Sequence, residues 1–391
     1  MDIDERIRRR QRWTGESRLI QDYDALSPVG HIDEPSDRGP VFEQLLDHLD
    51  PVFDGDLPGN AYVHGPSGAG KTAVVTALFA HLEPLSSGTQ SVIHTSTRAA
   101  TTGVPGVVYL DTRTTTSTFA LYHGVLDGLV EESVPKHGIS TDELRSRLHD
   151  ALDGARAGAV VAVDHVGEPG SADTDDLVDV FAGLPSNVSW LAVGRDPPAQ
   201  TELAAYTATT VAVRHYRQQT LTDVLMTRAS SGLAHRALDH EQARRIAAWA
   251  DGNAHDALAA LFVAAVRADD RDRTRIAEAD VDDALAELPQ PSVSLGRVLA
   301  LPENRQAVLR ALVDLDETDR ASVTATTEAV AAAPGVTLSP GTIKRYLYEL
   351  AEIGVIERVK SELDNDQGRP PSRVELRFPP TAFRRLYDLQ Q

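Results

Sequence analysis

Residues 61–82 read AYVHGPSGAGKTAVVTALFAHL. Within them, residues 65–72 fit G-x-x-x-x-G-K-[ST], a pattern in which each part has a physical task. Gly65, Gly68 and Gly70 let the backbone curl until successive N–H groups point inward at phosphate oxygens. The following helix starts at the loop, so its N-terminal dipole faces the anion. Lys71 is placed to bridge the β- and γ-phosphates, and the Thr72 hydroxyl to hold Mg²⁺. The flanks agree: Ala61-Tyr62-Val63 is a short apolar strand, and TAVVTALFAHL is apolar at helical spacing. Gly65, Pro66, Ser67, Gly68, Ala69, Gly70, Lys71, Thr72 and Ala73 are therefore the expected binding residues for ATP or ADP with Mg²⁺.

Outward from this loop the pattern stays regular. GVVYLDT (106–112), AVVAVD (159–164), VSWLAVG (188–194) and TTVAVRHY (209–216) read as further strands, separated by helical segments such as TDELRSRLHDAL with its Ser140 or Thr141 cap. Alternating strands and helices predict an α/β domain over 41–218 with a doubly wound parallel sheet. A P-loop protein also needs a carboxylate at the end of a buried strand to order Mg²⁺ and its water, and Asp164 supplies it. Hydrolytic members usually follow that Asp with an acid. Here His165 follows, a weaker base that can carry positive charge, so Asp164 and His165 are the catalytic candidates and slow hydrolysis is expected. From 219 to 288 strands give way to four helical segments, an all-α domain, and LPQPSVS (288–294) reads as a linker.

Residues 295–391 form a third region. Three helical segments, NRQAVLRALVDL, SVTATTEAVAAA and SPGTIKRYLYELAEIG, precede two alternating segments, VIERVKSEL and SRVELRF, across a polar loop. That order is a winged helix. Thr342, Lys344, Arg345 and Tyr348 flank the apolar face at the start of its third helix, where DNA contacts are made, and Arg369 and Arg373 bracket the Pro370-Pro371 loop. Thr342, Lys344, Arg345, Arg369 and Arg373 are the DNA-binding candidates. A winged helix used only for protein contact is the alternative, which the acidic Asp364 and Asp366 favour slightly.

The 391 residues, 41% hydrophobic and 25% charged, are those of a globular chain with room for several domains. The net charge is −20, which alone argues against nucleic acid. Yet only four residues are lysine (Lys71, Lys136, Lys344, Lys360), so 34 of the 38 basic residues are arginine. Acid excess with so little lysine resembles proteins of salt-loving archaea, and local charge then matters more than the total. Residues 339–391 hold nine Lys/Arg against eight Asp/Glu, a local surplus in an acidic chain. With no cysteine, disulfides, Cys-ligated zinc and iron–sulfur clusters are excluded. The thirteen His make no H-x-x-x-H pair. Residues 1–40 read as a polar arm carrying Arg8, Arg9, Arg10 and Arg12, with no secretory signal and no span elsewhere, so a soluble cytoplasmic protein is expected.

Phosphate loop, Asp-terminated strand, helical lid and winged helix, in that order, resemble the archaeal origin-recognition/cell-division-control replication initiators of the AAA+ class. The resemblance covers about residues 25–385 and includes the GNAHDALAAL segment of the lid. It implies that Tyr216 and Arg228 lie at the nucleotide. It also marks departures. The polar residue expected after VSWLAV is Gly194, followed by Arg195. The lid Arg is replaced by His255, which is then the expected residue at the nucleotide in its place. The trans-acting Arg is absent from QTELAAYTATT.

The resemblance implies a nucleotide-dependent protein that binds double-stranded origin DNA, hydrolyses ATP weakly or not at all, and works on the nucleoid. Self-association or pairing with related initiator paralogues would fit, and no membrane partner is expected. A transcriptional or plasmid/viral maintenance regulator with a structural nucleotide site is one alternative. A competent DNA-stimulated ATPase is the other.

Overall fold

The computed structural model describes residues 18–30, 35–88, 104–153, 158–172, 174–360 and 372–390. They divide into two units. One spans 31–215, and the other joins the residues up to 30 with those from 216 onward.

Helix α1 (Tyr23–Leu26) belongs to the second unit, and the first begins with α2 (Gly39–Phe53). There follow β1 (Ala61–His64), α3 (Lys71–Gly88), β2 (Gly106–Asp111), α4 (Thr118–Leu129), α5 (Thr141–Leu152), β3 (Ala159–Val166), α6 (Thr174–Ala182), β4 (Val188–Gly194) and β5 (Thr209–Ala212). The five strands are parallel in the order β2-β3-β4-β1-β5. Sequence and position agree. The inner strands β3 and β4 are continuous apolar runs buried on both faces, while the edge strand β2 alternates buried and half-buried. One core lies between the sheet and α4, α5 and α6, and another between its opposite face and α2 and α3. Ser117 and Ser140 cap α4 and α5 through bonds from Ala120 N and Glu143 N.

Two strands differ from expectation. β5 stops at Ala212 rather than 216. Val213 N still donates to His64 O at 2.8 Å, but there β1 has turned into the phosphate loop and leaves nothing to pair with. β3 runs past Asp164 to Val166, with its register broken between Val163 and Val166. Alternation would put Val163 and Val166 on opposite faces, yet both lie in the same core. The two residues between them form a bulge, with His165 at φ +64°.

The second unit contains α7 (Gln218–Gly232), α8 (His240–Trp249), α9 (Ala254–Asp270) and α10 (Glu278–Glu287). Helix α9 is buried nearly all round, as its alanine-rich sequence allows. Next come α11 (Leu295–Leu299), α12 (Glu303–Val313), α13 (Val323–Ala332), α14 (Pro340–Glu352), the antiparallel pair β6 (Ile356–Lys360) and β7 (Ser372–Leu376), and α15 (Pro380–Gln390). The periodicity had given neither α11 nor α15. The segment 288–294, read as a linker, does not separate two cores. Leu288 and Leu295 are buried, and one hydrophobic cluster runs from α7 to α15. Thr381 in α15 bonds Glu287 in α10 through both its N–H and its hydroxyl. The reading of 1–40 as a polar arm is corrected for residues 18–30. Leu19, Ile20 and Leu26 are buried in that same cluster, and Ile20 bridges to Leu233. Their three apolar side chains were too few to show as a periodic pattern. Arg8, Arg9, Arg10 and Arg12 lie outside the described residues.

Candidate functional site

The carboxyl ends of β1, β4 and β3 bring one set of charges together. At β1 the loop 65–72 turns on glycine. A Cβ at Gly65 would lie 2.0 Å from Val213 O, and Gly68 and Gly70 take φ of +68° and +77°. The first amides of α3 have no partners within the helix, so they are available to an anion. Lys71 Nζ is folded onto the loop itself, donating to Gly65 O at 2.7 Å and Pro66 O at 2.8 Å. Burial pulls its pKa down to about 8, against the raising charges of Asp164 and Glu168. An ammonium so placed gains by exchanging loop carbonyls for phosphate oxygens, so the loop fits a nucleotide.

At β3, Asp164 is 1% exposed. Its Oδ2 accepts from Tyr109 Oη at 2.9 Å and its Oδ1 from His165 N at 2.6 Å. The register explains the tyrosine: Asp111 on β2 lies beside Asp164, and Tyr109 shares the same face two residues back. Burial first, then the Asp164 charge, pushes the Tyr109 hydroxyl far up, so it serves as a fixed donor. Asp111 is held below the usual carboxylate range despite burial, because Arg113 binds both its oxygens.

His165 does not stand alone beside Asp164. Its Nδ1 lies 3.4 Å from Glu168 Oε1 and its Nε2 3.7 Å from Asp164 Oδ2. Glu168 comes in because β3 ends in a turn, with Glu168 N donating to His165 O at 3.3 Å. The same Oε1 accepts from Arg195 Nε at 3.0 Å. Burial would raise the Glu168 pKa. The His165 bond and the Arg195 charge outweigh it and hold the carboxyl down at about 2. Glu168, Tyr109 and the role of Arg195 escaped the sequence reading, since only the bulge and the strand register bring them in.

At β4, Gly194 has a steric cause. A Cβ there would lie 2.6 Å from Tyr62 Oη, and that hydroxyl is fixed by donating to Asp196 O at 2.8 Å. Arg195 is thus the first side chain past the strand.

Tyr216, Arg228 and His255 belong to the second unit. Tyr216 is buried in the helical core. Arg228 donates to Ala25 O at 3.0 Å and Gly30 O at 2.6 Å, tying the residues before 31 to α7. His255 Nε2 accepts from Leu295 N at 2.9 Å, so its proton sits on Nδ1, 3.2 Å from Asp256 Oδ1. It caps α11, a task the missing α11 had hidden.

In α14, Ile343, Leu347 and Leu350 are fully buried, while Lys344, Arg345 and Tyr348 are exposed. Thr342 is taken up in the cap: its N–H and its hydroxyl lie 3.2 and 2.9 Å from Ser339 Oγ. Arg345 stacks 5.4 Å from the Tyr346 ring, and Arg358 lies 4.5 Å over Tyr348. Arg373 pairs with Glu375 at 2.6 Å. Arg369 lies outside the described residues.

A family model described as AAA ATPase domain matches residues 37–191. The ORC1-type DNA replication protein of Thermococcus kodakarensis is 24% identical over 296 residues, 72% of this chain and 68% of that protein. ORC1-type DNA replication protein 10 of Halobacterium salinarum is 24% identical over 295 residues, 71% of this chain and 68% of that one. The chain is thus similar in sequence to archaeal ORC1-type DNA replication proteins over about 70% of its length. The fold agrees. The Aeropyrum pernix ORC1 protein, solved in complex with DNA, has a TM-score of 0.62 at 22% identity, over 95% of this chain and 97% of that one. Cdc6p from Pyrobaculum aerophilum has a TM-score of 0.55 at 18% identity, over 95% and 99%. An AAA ATPase domain is a nucleotide-binding domain, and its match spans both the phosphate loop and Asp164. Among the described residues no helix is long and apolar enough to cross a membrane.

Proposed function

We propose that the chain is a nucleotide-dependent, DNA-binding protein of the replication-initiator type. The observation that carries this reading is the gathering of the phosphate loop, Asp164 and Arg195 at the carboxyl ends of the neighbouring parallel strands β1, β3 and β4, where such folds take their ligands. ATP or ADP is bound by residues 65–73, with the Lys71 ammonium on the phosphates. Thr72 and Asp164 would hold Mg²⁺, whose charge offsets that of the phosphates. Tyr109 and the His165 amide fix the Asp164 carboxylate for that task. Hydrolysis is slow, because the place after Asp164 holds an imidazole already turned toward Glu168.

Duplex DNA is contacted by Lys344 and Arg345 on α14, by Arg373 on β7 and by Arg369, at origin-like sites. The exposed basic start of α14 supports this, and so does the DNA in the structure of the Aeropyrum pernix relative. The protein works in the cytoplasm on the nucleoid, alone, self-associated or with related initiators.

The test is titration of purified protein in molar KCl with fluorescent ADP and ATP, then with duplexes of origin and promoter sequence. Lys71→Ala is expected to weaken both nucleotides by about 100-fold, the loss of a charge-assisted contact set. Its unfolding without nucleotide should match the wild type. Tight nucleotide binding with preference for origin duplexes supports the reading. Preference for promoter duplexes transfers it to a regulator, and absence of nucleotide binding overturns it.

A further inference from the structure

Glu287 is the last residue of α10, and its side chain is 8% exposed. Both facts count against an acid there. The carboxyl end of a helix disfavours negative charge, and a buried carboxylate is costly unless it is paired. Arg267 on α9 supplies one partner, with Nη2 2.5 Å from Glu287 Oε2. The others come from far along the chain. Thr381 N donates to Oε1 at 2.7 Å, and Thr381 Oγ1 to Oε2 at 2.8 Å. Thr381 stands in the first turn of α15, where amides have no partner within the helix. Pro379, just before that helix, has no side-chain acceptor to offer them. Glu287 therefore caps α15 from another element.

The same exchange occurs once more across 288–294. His255 on α9 accepts from the N–H of Leu295, the first residue of α11. The joining segment is itself stitched to the residue after β7. Val293 N donates to Arg377 O at 2.6 Å, and Arg377 Nη2 to Pro291 O at 3.3 Å. Helix α15 packs against α9 and also against α11 and α12, with Ala382 and Phe383 fully buried. Arg385 pairs with Asp270 across the same joint at 2.7 Å, but those side chains are 32% and 58% exposed, so salt screens the pair. The buried Glu287 is screened far less. Swinging the region from α11 onward about 288–294 would strip Glu287 of two hydrogen bonds, leave a buried carboxylate short of donors and open the apolar face of α15 to water.

We propose that Glu287 fastens the region from α11 to α15 onto the helices α7–α10, so that the exposed basic face of α14 moves only with them. The two regions are one body, and a ligand that shifts the first carries the second. Glu287 is a positioning residue, acting through α15 and not by contact with a ligand. This goes beyond the function proposed above, since the tie is made whichever ligand the protein takes.

The chain has no cysteine, so two introduced ones can be labelled uniquely. Ala248→Cys on α8 and Glu328→Cys on α13, both at exposed positions, carry nitroxides, and dipolar spectroscopy reads the distance between them in molar KCl. The full chain is measured without ligand, with ADP, with ATPγS and with duplex DNA. One narrow distance is expected, shifting by less than about 5 Å, one helical turn, in every state. A broad distribution without ligand, or a larger shift with any ligand, overturns the single body. Glu287→Ala is expected to broaden the distribution or add a second distance. Glu287→Gln keeps an acceptor for Thr381 N and is expected to restore the single one. An unchanged narrow distance in Glu287→Ala overturns the role of Glu287. Should Glu287→Ala fail to fold, Thr381→Val, which removes only the hydroxyl bond, decides the same point by a smaller broadening or none. A protein that binds no nucleotide overturns the function proposed above and leaves this test standing, because the unliganded chain and its variants decide it.

Discussion

At the end of β1 the phosphate loop takes its shape from the residues it contains: glycines at positive φ, a lysine folded on its own loop, a helix that begins on the next residue. At the end of β3, two strands away, nothing is local. Asp164 is fixed by a tyrosine from β2, and Glu168 by an arginine beyond β4. One site is written in eight consecutive residues, the other in strand order. The first tolerates changes elsewhere in the fold, while the second changes when any of three strand ends changes. That is where this chain departs from the initiator pattern, at His165, Gly194 and Arg195.

The comparison can be broken at the β3 end first, by acid. The Glu168 carboxyl is held at about 2 in the fold against an ordinary 4.5. A lowered carboxylate contributes stability that is complete above pH about 4.5 and is lost as pH falls toward 2, here about 3 kcal/mol. Denaturant unfolding at successive pH values should show this loss in the wild type, and Glu168→Gln should remove that part of the slope.

The next largest effect lies at β4. Gly194→Asn drives a Cβ into Tyr62 and should cost about 2 kcal/mol. Tyr62→Phe removes the closest atom, so the double variant should recover part of the loss. Strict additivity of the two would refute this account of the glycine.

The β1 end has a smaller signature, in ligand binding. Lys71 is protonated below pH about 8 in the free protein, and phosphate favours the protonated form. Nucleotide affinity should be flat below pH 8. Above it, binding takes up a proton, and affinity should fall by up to about tenfold per pH unit. Calorimetry in two buffers of different ionisation enthalpy reads that uptake directly.

The exposed cations of α14 should show the mildest response. Arg345→Ala should change unfolding stability by under about 0.5 kcal/mol, since its stacking and its 3.5 Å pair with Glu349 lie in solvent. On duplex DNA it should lower the slope of log affinity against log salt by about 0.9, the loss of one phosphate contact. An unchanged slope would move the DNA face elsewhere.

Much of this was legible in the residues. The five strands appear in the sequence because each is a short apolar run between turn signals, and Ser140 and Ser339 announce the helices they cap. The phosphate loop is legible because its function needs particular residues at fixed spacing. The bulge is not, because AVVAVDHV is as apolar as an unbroken strand and its parity changes only in the register with β4. Nor was the occupation of Arg228 and His255, whose partners Gly30 and Leu295 lie 198 and 40 residues away. The family resemblance points both toward a nucleotide, and the structure adds backbone partners that the residue pattern does not announce.

The unit boundaries have a consequence for synthesis. Residues 18–30 are buried against α7 and α9, yet the whole α/β unit is encoded between them and their partners. During translation the α/β unit has all its strands once residue 212 has emerged, and it can fold as a block. Leu19, Ile20 and Leu26 must wait for the helices beyond 216, nearly two hundred codons later. At the roughly 5–20 residues per second of translation, that is an interval of tens of seconds at the slow end. The sequence around them is rich in charge, MDIDERIRRR before and DEPSDR after.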